Sequence, residues 1–210
     1  MDPMELMRRG ELGVSPAERT HCVDPLNLNQ VILAEGIEMS DNLFDTKVLA
    51  EIAILTSLSA ALSYIKIWEM PQGGSITIGS MVPLLLLAMR RGPKAGITGG
   101  ILSGLIQMFF GGFIWTPVQA ALDYPIAFGC IGLAGFFRKN VYIGTTVALF
   151  GRFLSHFVSG VVFFGAWAPP EFGAVLYSLI YNGEYMLPEL IVSGVMMYYL
   201  LKRGIQNLRL

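Results

Sequence analysis

Five ionisable side chains fall inside otherwise apolar stretches: Glu51, Asp123, Arg152, His156 and Glu189. If those stretches cross a membrane, each charge costs roughly 2.5–3.5 kcal/mol to insert, so each needs a partner or a task. Asp123 follows Gln119 by four positions, which puts an amide and a carboxylate on one helix face. A buried carboxylate must pair or protonate. Asp123 therefore closes an internal ion pair with Arg152 or is held for a cationic or amine-bearing ligand, and the two are compatible. Arg152, His156 and Gly160 also recur every four residues, so a guanidinium, an imidazole and a space beside it share one face. Tyr177, Tyr181, Asn182 and Tyr185 surround Gly183, where a helix break is expected. An amide accompanies these tyrosines, so they read as a binding cluster, whereas Tyr198 and Tyr199 read as an interfacial belt. Glu51 lies near one end of its stretch and reads as an interfacial carboxylate. Glu184 stands with Asn182 at the outer mouth of the last stretch. Pro188 falls in the first turns of that stretch, where its missing N–H costs little.

These residues suit binding better than bond cleavage. Ser155, His156 and Ser159 hint at a serine protease, but adjacent Ser155 and His156 point to different helix faces and no G-x-S-x-G elbow is present. There is no G-x-x-x-x-G-K-[ST] loop, so any use of ATP belongs to a partner. Cys22 and Cys130 stand far apart, and no metal-ligand spacing occurs. Neither a metal nor a cofactor is expected.

The elements that carry these groups are membrane spans. Of the 210 residues, 54% are hydrophobic and 14% charged, against about 25% charged in an ordinary soluble domain. Residues 1–47 hold nine acidic and four basic side chains, and residues 48–210 hold six acidic and ten basic. A soluble enzyme, a nucleic-acid binder and a disulfide scaffold all fit poorly. Runs of about 20 apolar residues mark spanning helices. Six candidates follow: roughly 48–66, 75–90, 95–111, 117–137, 141–165 and 184–203. The runs are continuous rather than alternating, which argues against a barrel. The first begins late and lacks a small-residue cleavage pattern, so a signal peptide does not fit.

Basic residues set the orientation. Arg90, Arg91, Lys94, Arg138, Lys139, Lys202, Arg203 and Arg209 all fall on one side of a six-span arrangement. The positive-inside rule makes that side cytoplasmic and puts both termini there. The expected fold class is an all-α integral membrane protein of six transmembrane helices. The opposite loops carry Trp68, Trp115 and Trp167. A belt explains any one of them, but Trp68 precedes the flexible Glu-Met-Pro-Gln-Gly73-Gly74-Ser75, which would make a natural lid. In the first span Ala53, Ser57 and Ala61 recur every four residues, a spacing that lets two membrane helices approach closely. That ladder packs within the bundle or against another protein.

Several stretches together resemble the thiamine-specific substrate-binding (S) component of energy-coupling-factor (ECF) vitamin transporters. They are Gly73-Gly-Ser-Ile…Met81-Val-Pro, Leu87-Ala-Met-Arg-Arg-Gly92…Lys94-Ala-Gly, Val118-Gln-Ala-Ala-Leu-Asp-Tyr-Pro-Ile-Ala-Phe128, Gly151-Arg-Phe-Leu-Ser-His-Phe-Val-Ser-Gly160 and Tyr177-Ser-Leu-Ile-Tyr-Asn-Gly-Glu-Tyr-Met-Leu-Pro188. The last two are the most specific, and the likeness runs from about residue 47 to 203. It implies a high-affinity thiamine site in the outer half of the bundle, a transmembrane coupling protein (T component) and two ATPase subunits as partners, and a prokaryotic plasma membrane. It implies ligand contacts from Trp68, Asp123, Tyr124, His156, Phe164, Tyr177 and Asn182, and docking to the coupling protein through Ala53, Ser57 and Ala61. Two positions depart from the family pattern. Asp123 stands where a relative has Glu, and Phe164 stands where a stacking Trp is found, a loss that Trp167 could offset. The competing reading is a self-sufficient secondary transporter of a small cationic metabolite, which six spans without an evident inverted repeat disfavour.

Residues 1–38 have no usable periodicity. They read as a disordered cytoplasmic tail or as a non-native leader preceding a membrane domain of residues 39–210. Back-translation of Ala17 to Gly36 yields ordered blocks that resemble the core of a thiamine-pyrophosphate riboswitch. In that reading translation starts at Met39, and His21 and Cys22 carry no chemistry.

Overall fold

The structure is a computed structural model and is described for residues 43–203; the expectations for residues 1–38 lie outside the described residues. Six helical runs carry the fold among the described residues, in agreement with the sequence count: α1 Thr46–Ser63, α2 Val82–Arg91, α3 Pro93–Phe109, α4 Pro117–Phe137, α5 Val141–Phe163 and α6 Gly173–Lys202. Three of them, α1, α4 and α5, are long and apolar enough to cross a membrane. The arrangement is not purely helical. Lys66–Glu69 (β1) and Ser75–Thr77 (β2) form an antiparallel hairpin between α1 and α2, with Trp68 opposite Ile76.

Start signals are local. The Asp45 carboxylate accepts the Lys47 N–H at 3.0 Å and caps α1. Thr116 accepts the Gln119 N–H at the head of α4, and Asn140 accepts two N–H groups at the head of α5. Gly92 turns α2 into α3 at φ 90°, a backbone conformation that side chains resist.

Two runs differ from the sequence expectation. The second run was expected over 75–90, but Ser75–Thr77 is strand and the helix has only ten residues. At 1.5 Å per residue, α2 is about 15 Å long and does not span alone. The break expected at Gly183 is absent: α6 runs unbroken for 30 residues, about 45 Å, longer than the roughly 30 Å hydrocarbon core. Its first turns precede the apolar segment, which is why hydropathy places the start at 184. Pro188 thus sits in a helix interior rather than in a first turn; membrane bundles tolerate this because neighbours re-satisfy freed backbone groups. Within α4, Leu122–Ile126 forms a widened turn containing Pro125, whose missing N–H cannot hold the regular ladder.

The centre is apolar. Leu84, Leu85 and Ala88 of α2, Ile131 and Ala134 of α4, Ala148 and Leu149 of α5 and Met197 of α6 are buried in one cluster. At one end Glu51 is not the interfacial carboxylate expected. It is 1% exposed, and both Arg90 and Arg91 grip it. Arg90 donates Nη2 to Oε1 at 3.0 Å, and Arg91 donates Nε to Oε2 at 2.9 Å. A carboxylate with two fork-shaped partners is satisfied without water. The opposite face of α1 exposes Ala53, Ser57 and Ala61, so that ladder does not pack within the bundle.

Candidate functional site

One cavity of about 100 Å³ opens beneath the hairpin, walled by α3, α4, α5 and α6. Its polar centre is Asp123. The widened turn of α4 aims this carboxylate inward, where three side chains hold it. Gln119 Nε2 donates to Oδ2 at 2.6 Å, Ser159 Oγ donates to the same oxygen at 2.9 Å, and His156 Nδ1 lies 3.0 Å from Oδ1. Arg152 Nε donates to His156 Nε2 at 3.3 Å. A guanidinium only donates, so Nε2 is the acceptor and Nδ1 carries the proton toward Asp123. The expected ion pair of Asp123 with Arg152 is therefore replaced by a relay through the imidazole. Arg152 Nη1 also donates to Met81 Sδ at 3.0 Å, and the guanidinium carbon lies 4.5 Å from the centre of the Phe128 ring.

Tyr124, the next residue, also lines the cavity. Its hydroxyl accepts the Phe113 N–H at 2.6 Å and pins the loop between α3 and α4. Gln119 fixes the same loop through the Trp115 N–H and the Phe113 carbonyl. That loop presents Phe113 to the cavity beside Phe164, with ring centroids 5.9 Å apart.

The α6 wall is a column of tyrosines four residues apart. Tyr177 donates to Gln72 Oε1 at 3.0 Å, and the Tyr181 hydroxyl accepts the Gln72 N–H at 3.1 Å. Tyr185 donates to Asn182 Oδ1 at 2.9 Å, while Asn182 Nδ2 donates to the Ser178 carbonyl at 2.8 Å. Gly160 does not leave empty room beside the imidazole. A Cβ there would meet Ser178, so the glycine lets α5 and α6 close together.

Of the seven ligand contacts expected from sequence, the cavity brings together Asp123, Tyr124, His156, Phe164, Tyr177 and Asn182. Trp68 is the exception: it stands on β1, 63% exposed, away from the cavity. The turn beyond it, Gln72–Ser75, covers the site instead. Trp167 does not take the place of Phe164. It is 44% exposed and stacks on Trp115 at 5.6 Å, while Phe164 is 8% exposed and faces the cavity. Gln107 and Phe113 also line the site and were not singled out in the sequence. A lone amide in the apolar run of α3 was the available signal for Gln107.

Residues 49–208 match the family model described as thiamine transporter protein (Thia_YuaJ). The chain belongs to this family. It is 38% identical to the thiamine transporter ThiT of Bacillus subtilis (strain 168) over 172 residues, covering 71% of this chain and 87% of that protein. It is 34% identical to ThiT of Lacticaseibacillus paracasei, covering 73% of this chain and 86% of the relative. Among solved structures it is similar to ThiT from Listeria monocytogenes, with a TM-score of 0.70 and 31% identity over 76% of this chain and 95% of that one. Family membership makes this a membrane transport protein of the ThiT type, and the cavity is the place where its substrate chemistry can be read.

Proposed function

We propose that this chain is the thiamine-binding S subunit of an ECF-type, ATP-dependent importer in a prokaryotic plasma membrane. The observation that carries the reading is the Asp123 carboxylate, held by Gln119, His156 and Ser159 inside an aromatic-lined cavity. Thiamine joins a permanently cationic thiazolium to an aminopyrimidine and a hydroxyethyl arm. A fixed carboxylate complements the cation or accepts from the exocyclic amine. Phe164, Phe113 and the tyrosines of α6 offer π faces to the cation. Tyr and Asn groups orient the remaining polar edges in a largely apolar pocket. Asp123 is one methylene shorter than a glutamate, which the direct grip of Gln119 and Ser159 suits.

In this reading both termini are cytoplasmic and the cavity faces outward. The exposed ladder of Ala53, Ser57 and Ala61 on α1 is the docking face for the T component, beneath which two ATPases work.

Vesicle reconstitution tests the proposal. With the T component and both ATPases, the wild type should accumulate labelled thiamine only with internal ATP. Ala53→Trp or Ala61→Trp should abolish uptake while the isolated subunit keeps its thiamine affinity. Uptake that continues without the ATPases would favour a self-sufficient transporter and reject the S-subunit reading.

A further inference from the structure

Glu189 is a carboxylate in the interior of α6, 1% exposed, and it forms no ion pair among the described residues. Its hydrogen bonds both come from Thr77 of β2. The Thr77 N–H donates to Oε2 at 3.0 Å, and the Thr77 hydroxyl donates to Oε1 at 2.8 Å. A polar group this deep in an apolar bundle is expensive to keep. The buried Arg152 is near enough to interact with it electrostatically, but the groups within hydrogen-bonding reach belong to Thr77, so the direct contact the carboxylate makes is its grip on one residue of the hairpin.

The register of α6 explains the grip. Tyr177, Tyr181, Tyr185 and Glu189 stand four residues apart on one helix face. All four meet the hairpin or its turn. Tyr177 and Tyr181 hold Gln72, and Tyr181 also accepts the Gly74 N–H at 3.4 Å. The ring of Tyr185 packs so closely on Gly74 that a Cβ there would lie 2.8 Å from it. Tyr177 and Tyr181 are part-exposed and meet the tip of the hairpin through neutral hydroxyls. Glu189 is buried and holds Thr77 through two hydrogen bonds, at the hairpin's inner end. Thr77 is fixed from the other side as well: its Oγ1 accepts the Ser80 N–H at 3.2 Å, and the Ser80 carbonyl accepts from Ser59 of α1 at 2.7 Å.

We propose that Glu189 is a positioning residue that anchors the inner end of the hairpin, so that only the Gln72–Ser75 tip moves to admit and release the ligand. Two hydrogen bonds converge on the buried Thr77, and breaking them would leave buried polar groups unpaired, so the part-exposed tip loosens first and Thr77 stays put. Glu189 does not line the cavity and acts on the ligand through the hairpin alone. The proposal rests on the thiamine reading only for the identity of the ligand, and its test has one readout that needs no ligand.

Hydrogen–deuterium exchange of the ligand-free, full-length protein in lipid nanodiscs reads the anchor directly. Glu189→Ala should exchange at least fivefold faster than wild type across residues 70–81, with the α3–α4 helices unchanged. Glu189→Gln, which can still accept from the Thr77 N–H and donate to its hydroxyl, should restore most of the protection. Stopped-flow measurement should show thiamine release at least fivefold faster from Glu189→Ala, again rescued by Gln. If Glu189→Ala does not fold, Thr77→Val removes one of the two bonds and should show the same exchange change at smaller amplitude. Exchange over 70–81 within twofold of wild type in the folded variant overturns the anchor. Faster exchange in a protein whose wild type binds no thiamine supports the anchor and rejects the thiamine reading.

Discussion

The seam between α3 and α4 and the wall between the hairpin and α6 are built on opposite principles. Along the seam, backbone meets backbone. A Cβ at Gly100 would strike the Phe128 carbonyl, one at Gly104 would come within 2.6 Å of the Tyr124 carbonyl carbon, and one at Gly132 within 2.6 Å of Ile97 Cα. Contact of this kind has one good arrangement and no graded way to open. Along the tip of the hairpin wall, side-chain hydrogen bonds do the holding: Tyr177 and Tyr181 on Gln72. Such bonds contribute only about 0.5–1.5 kcal/mol net when neutral, so they can break and re-form. The lesson is a division of labour. The glycine seam and the Glu51 clamp make a fixed platform that carries Asp123, and in the account proposed above the hairpin tip supplies the part that moves.

The strongest way to break this contrast is to attack the platform. Glu51→Ala leaves Arg90 and Arg91 facing a buried site that has lost its carboxylate. It should destabilise the protein by about 3–5 kcal/mol, as removal of one partner from a buried ion pair does. Thermal unfolding in detergent reads this. Molecules that remain folded should bind thiamine with unchanged affinity, because Glu51 lies outside the cavity. Gly100→Ala should cost about 1–3 kcal/mol by overpacking the seam, again with the loss in unfolding midpoint rather than in affinity for the folded fraction. A large loss of affinity without loss of stability in either variant would dissolve the distinction. The smallest effect sharpens it from the other side. Trp68→Ala removes a ring that stands clear of the cavity and should change thiamine affinity by less than a factor of two, about 0.4 kcal/mol. Isothermal titration checks that value, and a tenfold loss would restore Trp68 as a contact.

Much of the platform was legible in the sequence because its signals are local. Continuous apolarity marks the six runs, and four-residue spacing places Gln119 beside Asp123 and Arg152 beside His156. What stayed hidden depends on partners distant in sequence. Glu51 finds its arginines 39 and 40 residues away, and nothing in its own neighbourhood distinguishes a buried clamp from an interfacial carboxylate. The hairpin escaped because Ser75–Thr77 continues smoothly into the apolar α2. The break expected at Gly183 failed for a related reason. Glycine permits a break but does not impose one, and the ladder of α6 continues through it. Trp68 was matched to the lid by residue type, whereas strand geometry leaves it exposed and puts glycines over the site.

The central claim is that Asp123, held by Gln119, His156 and Ser159, recognises thiamine. Titration of the purified protein with thiamine, read by calorimetry alongside Asp123→Asn, tests it most directly. The wild type should bind one thiamine per chain. Asp123→Asn keeps the shape but removes the charge, and should lose about 1.5–3 kcal/mol, the worth of a hydrogen bond to a charged group, or roughly 10- to 150-fold in Kd. A folded Asp123→Asn protein that binds thiamine as tightly as wild type would contradict the account.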